Sequence, residues 1–94
     1  MEPGDLVLSM SGRDKDRYFI VMNIEDEFCF LSDGDLRKSD KPKKKKTKHV
    51  LRTGYKSEFI KQKFAEDIKV TNTELRTEIN KFINSLNPSE KTMG

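Results

Sequence analysis

Short apolar runs separated by polar turns occupy the first half of the chain, and this pattern predicts β-strands. The first two runs are 5–10 and 18–24, the second of which is rich in β-branched and aromatic residues. A third run, 28–31, is apolar on both faces, which predicts a central strand. Aspartate and glycine at 33–34 are typical of a tight hairpin turn. The chain is therefore expected to fold back into a short fourth strand at 36–38.

The next segment, 39–48, is strongly basic and carries four consecutive lysines directly after Pro42. Because proline has no amide hydrogen for a strand ladder and the lysines repel one another, we interpret this segment as a mobile loop. Residues 49–52 then predict a last strand, which Thr53 and Gly54 end. Five short strands within about fifty residues, with turn signals between them, are typical of a small β-barrel.

Apolar residues recur every three or four positions in two stretches of the second half, which predicts two amphipathic helices. Ser57 is a candidate N-cap for the first helix, and 71–74 has the sequence of a capping box for the second. Asn87 and Pro88 predict the end of the second helix. The expected apolar faces consist of Phe59, Ile60, Phe64 and Ile68 in the first helix and Leu75, Ile79, Phe82, Ile83 and Leu86 in the second.

These apolar helix faces need a partner, because an isolated helix of such length is only marginally stable in water. They can pack on the strands, on each other or on a second molecule, and the small size of the domain favours packing within the chain. The sequence therefore predicts a mainly β fold with C-terminal helices. Its parts are a barrel of about five strands at 1–54, a two-helix extension at 55–87 and a flexible tail at 88–94.

Length and composition narrow the class of protein further. The 94 residues give room for one small domain. Cys29 is the only cysteine, which excludes an intramolecular disulfide and a cysteine-based zinc site, and its apolar neighbours predict a buried, inert thiol. No apolar run approaches the ~20 residues that cross a bilayer, and the acidic N-terminus lacks a secretory signal. We therefore expect no membrane partner and a reducing, cytoplasmic location.

The charge of the chain is concentrated in one segment, although the net charge is only +3. Residues 1–36 carry three cations and nine acids, residues 37–56 carry ten cations and one acid, and residues 57–94 carry six of each. Such a basic block favours RNA as a partner, because mobile lysines neutralise phosphates without strict geometry. A solvated charged loop is the alternative. The similarity of 42–46 to a nuclear localisation signal is of a kind that occurs often by chance.

The stretch 4–24 joins two predicted strands through a basic loop, 11–17, and resembles the KOW motif of many ribosomal proteins and transcription–translation factors. The similarity is looser at 33–38 and 48–51, which look like later strands of large-subunit KOW proteins and of small bacterial RNA-binding proteins similar to them. The residues that match the motif are Gly4, Asp5, Val7, Gly12, Lys15, Ile20 and Val21.

This resemblance implies that the strands close into a small SH3-like β-barrel and that the chain contacts RNA, with large-subunit ribosomal RNA favoured. The sequence departs from the pattern at Asp16, where the motif often has a second glycine. Either the turn takes another shape here, or Asp16 adopts a left-handed conformation, which aspartate tolerates better than most residues.

Together these features predict a ribosome-associated RNA-binding protein that is a monomer when free, with ribosomal proteins as further partners and no cofactor. The alternative is a protein–protein interaction module that docks on the translation or transcription machinery through its helices. Tyr18 and Tyr55 have the chemistry to stack on unpaired bases, although packing at the barrel edge or against a helix is the commoner role. The predicted RNA-binding residues are Arg13, Lys15, Arg17, Arg37, Lys38, Lys41, Lys43, Lys44, Lys45, Lys46, Lys48, His49 and Arg52.

The sequence gives little support to an enzyme. His49 is the only histidine, and no glycine-framed nucleophile, Walker-type phosphate loop or dinucleotide fingerprint accompanies it. Asp14, Asp16, Asp33 and Asp35 carry the oxygen ligands that magnesium prefers, but the last two are explained by the predicted turn and the calcium-loop spacing is absent. We therefore predict no catalytic residue and no metal site.

Overall fold

Five strands precede two helices in the computed structural model, which describes residues 1–86. The strands form one antiparallel sheet, which together with the helices confirms the predicted mainly β fold with two C-terminal helices. The expected helix end at Asn87 and Pro88, like the predicted tail at 88–94, lies outside the described residues. The elements are β1 (Asp5–Ser9), β2 (Tyr18–Glu25), β3 (Phe28–Ser32), β4 (Lys43–Lys46), β5 (Val50–Lys56), α1 (Glu58–Ala65) and α2 (Asn72–Leu86).

The sheet has the strand order β4-β3-β2-β1-β5, so the chain runs back and forth through four neighbouring strands and then returns to pair with β1. The first two strands agree with the prediction to within one residue at each end. In their pairing, Leu6 lies opposite Ile20 and Leu8 opposite Tyr18. Asp16 in the connecting loop has a φ of 71°, so the left-handed alternative holds at the position of the missing motif glycine.

β3 is an inner strand between β2 and β4, as its apolar sequence predicts. Its burial is one-sided, however, because Cys29 and Leu31 are buried while Phe28 and Phe30 on the other side remain partly exposed. The buried Cys29 thiol agrees with the prediction, and burial raises its pKa. The strand is therefore central in the sheet, as predicted, but only one of its two apolar faces is buried.

The predicted strand at 36–38 is absent, and a loop occupies this segment. The side chain of Asp33 accepts hydrogen bonds from the backbone N–H groups of Asp35 and Arg37, at 3.0 and 2.8 Å. The Arg37 carbonyl in turn accepts from the N–H groups of Asp33 and Gly34. These bonds satisfy the backbone locally and replace the strand ladder that a two-residue hairpin would start. Gly34 nevertheless has the positive φ, of 79°, that the predicted hairpin turn requires.

The interpretation of 39–48 as a mobile loop is also wrong, because this segment contains β4. The strand Lys43–Lys46 pairs with β3 along its whole length. Alternate side chains of a strand point to opposite faces, so neighbouring lysines are separated rather than crowded on one side. The lysines of one face, Lys43 and Lys45, form ion pairs with the buried carboxylate of Asp14.

The last strand is longer than predicted and begins one residue later. His49 belongs to a short 3₁₀ turn, Thr47–His49, that links β4 to β5. β5 then continues through Gly54 to Lys56, whereas the sequence suggested an end at 53–54. Gly54 has a φ of 86° and lies at an exposed place in the strand, so it changes the path of the backbone without ending the pairing with β1.

The two helices pack on one face of the sheet, so packing within the chain is the alternative that holds. This helix–sheet core joins the paired residues Leu6 and Ile20 to both helices, and Tyr18 and Tyr55 close its side against Phe82. The opposite face of the same strands forms a second core. The first core consists of Leu6, Ile20, Ile60, Val70, Leu75, Ile79 and Phe82, and the second of Val7, Phe19, Val21, Cys29 and Leu31.

Both predicted helix caps are present. The hydroxyl of Ser57 accepts from the N–H of Ile60 at 3.2 Å, while Thr71 and Glu74 exchange the two reciprocal bonds of a capping box. The predicted apolar face of α1 is only partly buried: Ile60 is fully buried, but Phe59 is about half exposed. Because α1 ends at Ala65, Ile68 lies beyond the helix and is exposed as well.

A glycine comparison tests the close approach of the loop after β3 to α2. A Cβ at Gly34 would lie 2.2 Å from the backbone oxygen of Asn72, whereas one at Gly54 would meet nothing within 4 Å. Both positions have a positive φ, which costs a non-glycine residue on the order of 1–3 kcal/mol. Gly34→Ala should therefore lower the free energy of unfolding by clearly more than Gly54→Ala in urea titrations. Equal losses would contradict the packing of this loop on α2.

A second comparison tests the helix–sheet core. Phe82 is 8% exposed and its ring centroid lies 5.2 Å from that of Tyr18, whereas Leu86 on the same helix is 51% exposed. Phe82→Ala should cost about 3–5 kcal/mol of stability, as large-to-small core substitutions do. Leu86→Ala serves as the control and should change stability by less than about 1 kcal/mol. If Phe82→Ala is as stable as the control in thermal melts, the helix does not pack as described.

Candidate nucleic-acid interface

The basic strand β4 is held by one buried carboxylate. Asp14, in the loop between β1 and β2, is 1% exposed. Its Oδ1 accepts hydrogen bonds from the Ser9 hydroxyl and the Lys45 ammonium, both at 2.8 Å, and its Oδ2 lies 3.3 Å from Lys43 Nζ. Lys45 also donates to the carbonyl of Ser11 at 2.7 Å. These bonds fasten the loop to the strand and neutralise much of the charge on its inward side.

The ion pairs determine the protonation of this carboxyl group. Burial by itself raises the pKa of Asp14, but the hydrogen bonds from Lys45 and Ser9 and the ion pair with Lys43 outweigh burial and lower the pKa to about 2. Asp14 is therefore ionised throughout the neutral and mildly acidic range. Lys45, only 8% exposed, is thus buried against an ionised carboxylate, and this ion pair offsets the cost of taking its ammonium group out of water.

The other two lysines of β4 point away from Asp14. Lys44 and Lys46 are exposed, and in the strand register they lie opposite Phe30 and Phe28 of β3. The Lys44 ammonium is 4.4 Å from the centre of the Phe28 ring. These four residues, Phe28, Phe30, Lys44 and Lys46, form a surface that we call the Phe–Lys face. The sequence analysis did not identify the aromatic part of this face. The signal for it is two phenylalanines two positions apart in a predicted strand, which share one face of that strand, close to a run of lysines.

The cations of the β1–β2 loop likewise include exposed residues and one that is held by ion pairs. Arg13 and Lys15 are exposed and flank Asp14 in sequence, so the bonds of that carboxylate bring them close to β4. Arg17 instead donates to the Asp33 carboxylate at 2.9 Å and lies 3.4 Å from Asp35. Arg17 therefore fixes the loop after β3 and is only partly available to a ligand.

The remaining predicted residues are spread over three places. Lys48 and His49 lie in the 3₁₀ turn after β4, next to the loop, where the Met10 N–H donates to the His49 carbonyl at 2.9 Å. Arg52 lies on β5, which is last in the strand order of the sheet, whereas β4 is first. The connection between β3 and β4 carries Arg37, Lys38 and Lys41, of which the last two are exposed.

The two tyrosines considered for base stacking have a structural role. The ring centroids of Tyr18 and Tyr55 lie 5.2 and 5.3 Å from that of Phe82, within the helix–sheet core. Both side chains are partly buried there, which is the commoner of the two roles weighed from the sequence. In the sheet, the rings of Phe28 and Phe30 are partly exposed beside the lysines of β4 instead.

A groove of about 450 Å³ lies between α2 and the loops that precede β2 and follow β3. Arg17 and Arg76 line it, but Arg17 bonds to Asp33 and Arg76 donates to the Gly34 carbonyl. The lining carries one more acid than base, which makes it a poor site for phosphate. The lining residues are Asp16, Arg17, Tyr18, Asp33, Asp35, Arg76, Ile79, Asn80 and Ile83.

Within residues 1–86, no group of three or more histidine, cysteine, aspartate or glutamate side chains is placed to hold a metal ion. In the same part of the chain, neither helix has the length and apolar character needed to cross a membrane. In comparisons with known proteins, no family model and no curated protein matches this sequence. The KOW resemblance therefore stays a prediction from the residues that carry it.

The Asp14 cluster yields a pH-dependent prediction. Asp14→Asn leaves Lys45 buried without its counter-charge and should cost roughly 3–5 kcal/mol near neutral pH. The stabilisation from a carboxylate with a lowered pKa is present above its unfolded value, 3.8, and is lost as pH falls towards about 2. The stability gap between the natural protein and Asp14→Asn should therefore narrow by about 2 kcal/mol between pH 5 and pH 2.

The matched control for this measurement is Asp16→Asn, an identical change in the same loop at an exposed position. Urea titrations over the pH series should show little effect of Asp16→Asn at any pH. A gap for Asp14→Asn that stays constant below pH 4, or one no larger than that of the control, would contradict the assignment of Asp14 as the ion-pair centre.

Proposed function

We propose that this chain is an RNA-binding protein that contacts phosphates through the outward cations of β4 and its neighbouring loops. The observation that carries the proposal is the division of the lysine run. Lys43 and Lys45 are bound to Asp14, while Lys44 and Lys46 extend into solvent from a regular strand. A strand holds such cations at fixed spacing. Phosphate binding therefore costs less conformational entropy than it would if the cations were on a mobile loop.

The cations proposed for RNA contact are therefore fewer than the sequence suggested. Two groups extend the row on β4: the loop residues Arg13 and Lys15, tied to it through Asp14, and Lys48 in the following turn. Lysines and arginines of this kind neutralise phosphates and release counterions, which gives affinity without base reading. Lys45 and Lys43 are left out because their charges are engaged within the fold, and Arg17 because it bonds to Asp33.

We further propose that the sheet closes as an SH3-like barrel of the KOW type, with the ribosome as the site of action. Three observations support this: β5 returns to pair with β1, a 3₁₀ turn joins β4 to β5, and β4 is bonded to the β1–β2 loop through Asp14. The proposed partner, ribosomal RNA with the large subunit favoured, rests on the KOW resemblance. So does the proposed cytoplasmic, ribosome-associated location, with ribosomal proteins as neighbours.

A purely structural role for the exposed lysines is the main competing explanation. β4 is an edge of the sheet, and lysines on an edge strand prevent pairing with other chains. Under that explanation, removal of the outward charges promotes self-association and leaves RNA affinity unchanged. The two accounts therefore differ in which measurement responds.

The protein–protein alternative loses much of its basis, because Leu75, Ile79 and Phe82 of the apolar stripe of α2 lie in the helix–sheet core. Two apolar side chains of the helices are about half exposed: Leu86 at 51%, and Phe59 at 48% with the Lys63 ammonium 5.3 Å from its ring centre. Polar substitution of Phe59 should leave RNA binding intact under the present proposal.

The test replaces two outward lysines and compares them with two others of equal charge. In Lys44→Gln/Lys46→Gln the slope of log affinity against log salt should fall by about 1.4, because each phosphate contact on a single strand contributes roughly 0.7. The control Lys56→Gln/Lys69→Gln removes the same charge from β5 and from the connection between the helices. It should leave the slope unchanged.

Substitution of all four β4 lysines is a poor test, because it also removes the partners of Asp14 and so endangers the fold. Fluorescence anisotropy with short RNA over a salt series gives the slopes. Sedimentation with ribosomes at low salt tests binding to the proposed cellular partner. Less of the Lys44→Gln/Lys46→Gln variant than of the natural protein should sediment with the ribosomes. The proposal fails if the natural protein ignores RNA at low salt or if both variants show the same slope.

A further inference from the structure

The helices leave part of one sheet face uncovered. Leu6 and Ile20 on that face lie in the helix–sheet core. Ser32 of β3 pairs with Ile20, and strand alternation puts Phe30 and Phe28 on the same side of β3 as Ser32. The two rings belong to neither core and are partly exposed. The face therefore continues past the helices as an aromatic surface.

The surroundings of the two rings differ in charge from one side to the other. On β4, Lys46 lies opposite Phe28 and Lys44 opposite Phe30. On β2, the residue opposite Phe28 is Glu25, which repels phosphate. A polyanion that crosses this face therefore has its phosphates on the β4 side and its remaining groups over β3.

We infer that Phe28 and Phe30 stack on unpaired bases of single-stranded RNA whose phosphates lie along Lys44 and Lys46. This inference rests on the proposed function and adds the class of RNA to it. Bases stack readily on partly exposed aromatic rings, and every base has a π-face, so such contacts favour single strands over particular sequences.

The spacing of the rings supports a single strand rather than a duplex. Side chains two residues apart in a strand are separated by roughly 6.5–7 Å. Consecutive bases in one strand of a DNA duplex rise by only about 3.4 Å, an RNA duplex is no longer per base, and in both the bases are already stacked on each other. Bases that occupy Phe28 and Phe30 in succession must be spread apart, which an unpaired strand permits and a duplex does not.

The lysine that covers Phe28 in the free protein does not block this site. The Lys44 ammonium, 4.4 Å from the ring centre, makes an exposed cation–π contact, which is weaker than base–aromatic stacking. A base that displaces it frees the ammonium beside the phosphate of the same nucleotide. The exchange replaces one weak contact with a stacking contact and an ion pair.

The experiment compares a short oligouridylate with an abasic RNA backbone of the same length. Both carry the same phosphates, so only base contacts distinguish them. The natural protein should bind the oligouridylate more tightly, by roughly 5- to 150-fold for each stacked base. Phe28→Leu/Phe30→Leu should bind the two oligomers equally, with the salt slope of the natural protein, because the phosphate contacts remain.

Two further variants separate stacking from folding. Phe28→Tyr/Phe30→Tyr keeps both rings and should retain the preference for the oligouridylate. Phe59→Leu removes another exposed ring that lies near a lysine ammonium, on α1, and should also retain it. Should the double leucine variant fail to fold, the single variants Phe28→Leu and Phe30→Leu replace it, and each should lose part of the preference for the oligouridylate.

The outcomes also distinguish this inference from the function on which it rests. Equal binding of both oligomers by the natural protein, with a salt slope that Lys44→Gln/Lys46→Gln lowers, overturns base stacking and leaves phosphate binding in place. A preference for duplex RNA over the oligouridylate overturns stacking in the same way. No binding of either oligomer or of duplex RNA at low salt overturns both proposals.

Discussion

The ion pair between Asp14 and Lys45 is the interaction on which the basic half of this fold depends. Four successive lysines do not form a strand by themselves, because their charges repel and their backbone has no side-chain burial to offset the cost of ordering. The Asp14 carboxylate, itself buried and bonded to Ser9, removes this obstacle for the inward side of β4. The remaining backbone groups are satisfied by pairing with β3.

This arrangement gives the lysine run two separate roles. The inward lysines stabilise the attachment of β4 to the β1–β2 loop, and the outward ones stay exposed, as the proposed contact with RNA requires. The same division explains why Arg13 and Lys15 are kept near β4, since Asp14 lies between them in sequence. The helices cover only the strands nearest to them on their face of the sheet. The rings of Phe28 and Phe30 therefore stay accessible beside Lys44 and Lys46.

Local sequence patterns predict the parts of the fold whose causes are local. The first three strands, the Ser57 cap, the capping box at Thr71 and the positive φ of Gly34 all follow from neighbouring residues. β4 does not, because its partner Asp14 is 31 residues from Lys45 in sequence. Local sequence does not predict the exposure of Phe28 and Phe30 for the same reason, because this exposure depends on where helices that are distant in sequence pack.

NMR can test directly whether the inward and outward lysines of β4 differ in their response to RNA. The protein, with isotopically labelled lysine side chains, is titrated with single-stranded RNA at low salt. The account predicts that the Nζ and Cε signals of Lys44 and Lys46 shift with added RNA, while those of Lys43 and Lys45 keep their positions because Asp14 holds them. Equal shifts at all four lysines, or shifts at Lys43 and Lys45 alone, would contradict it.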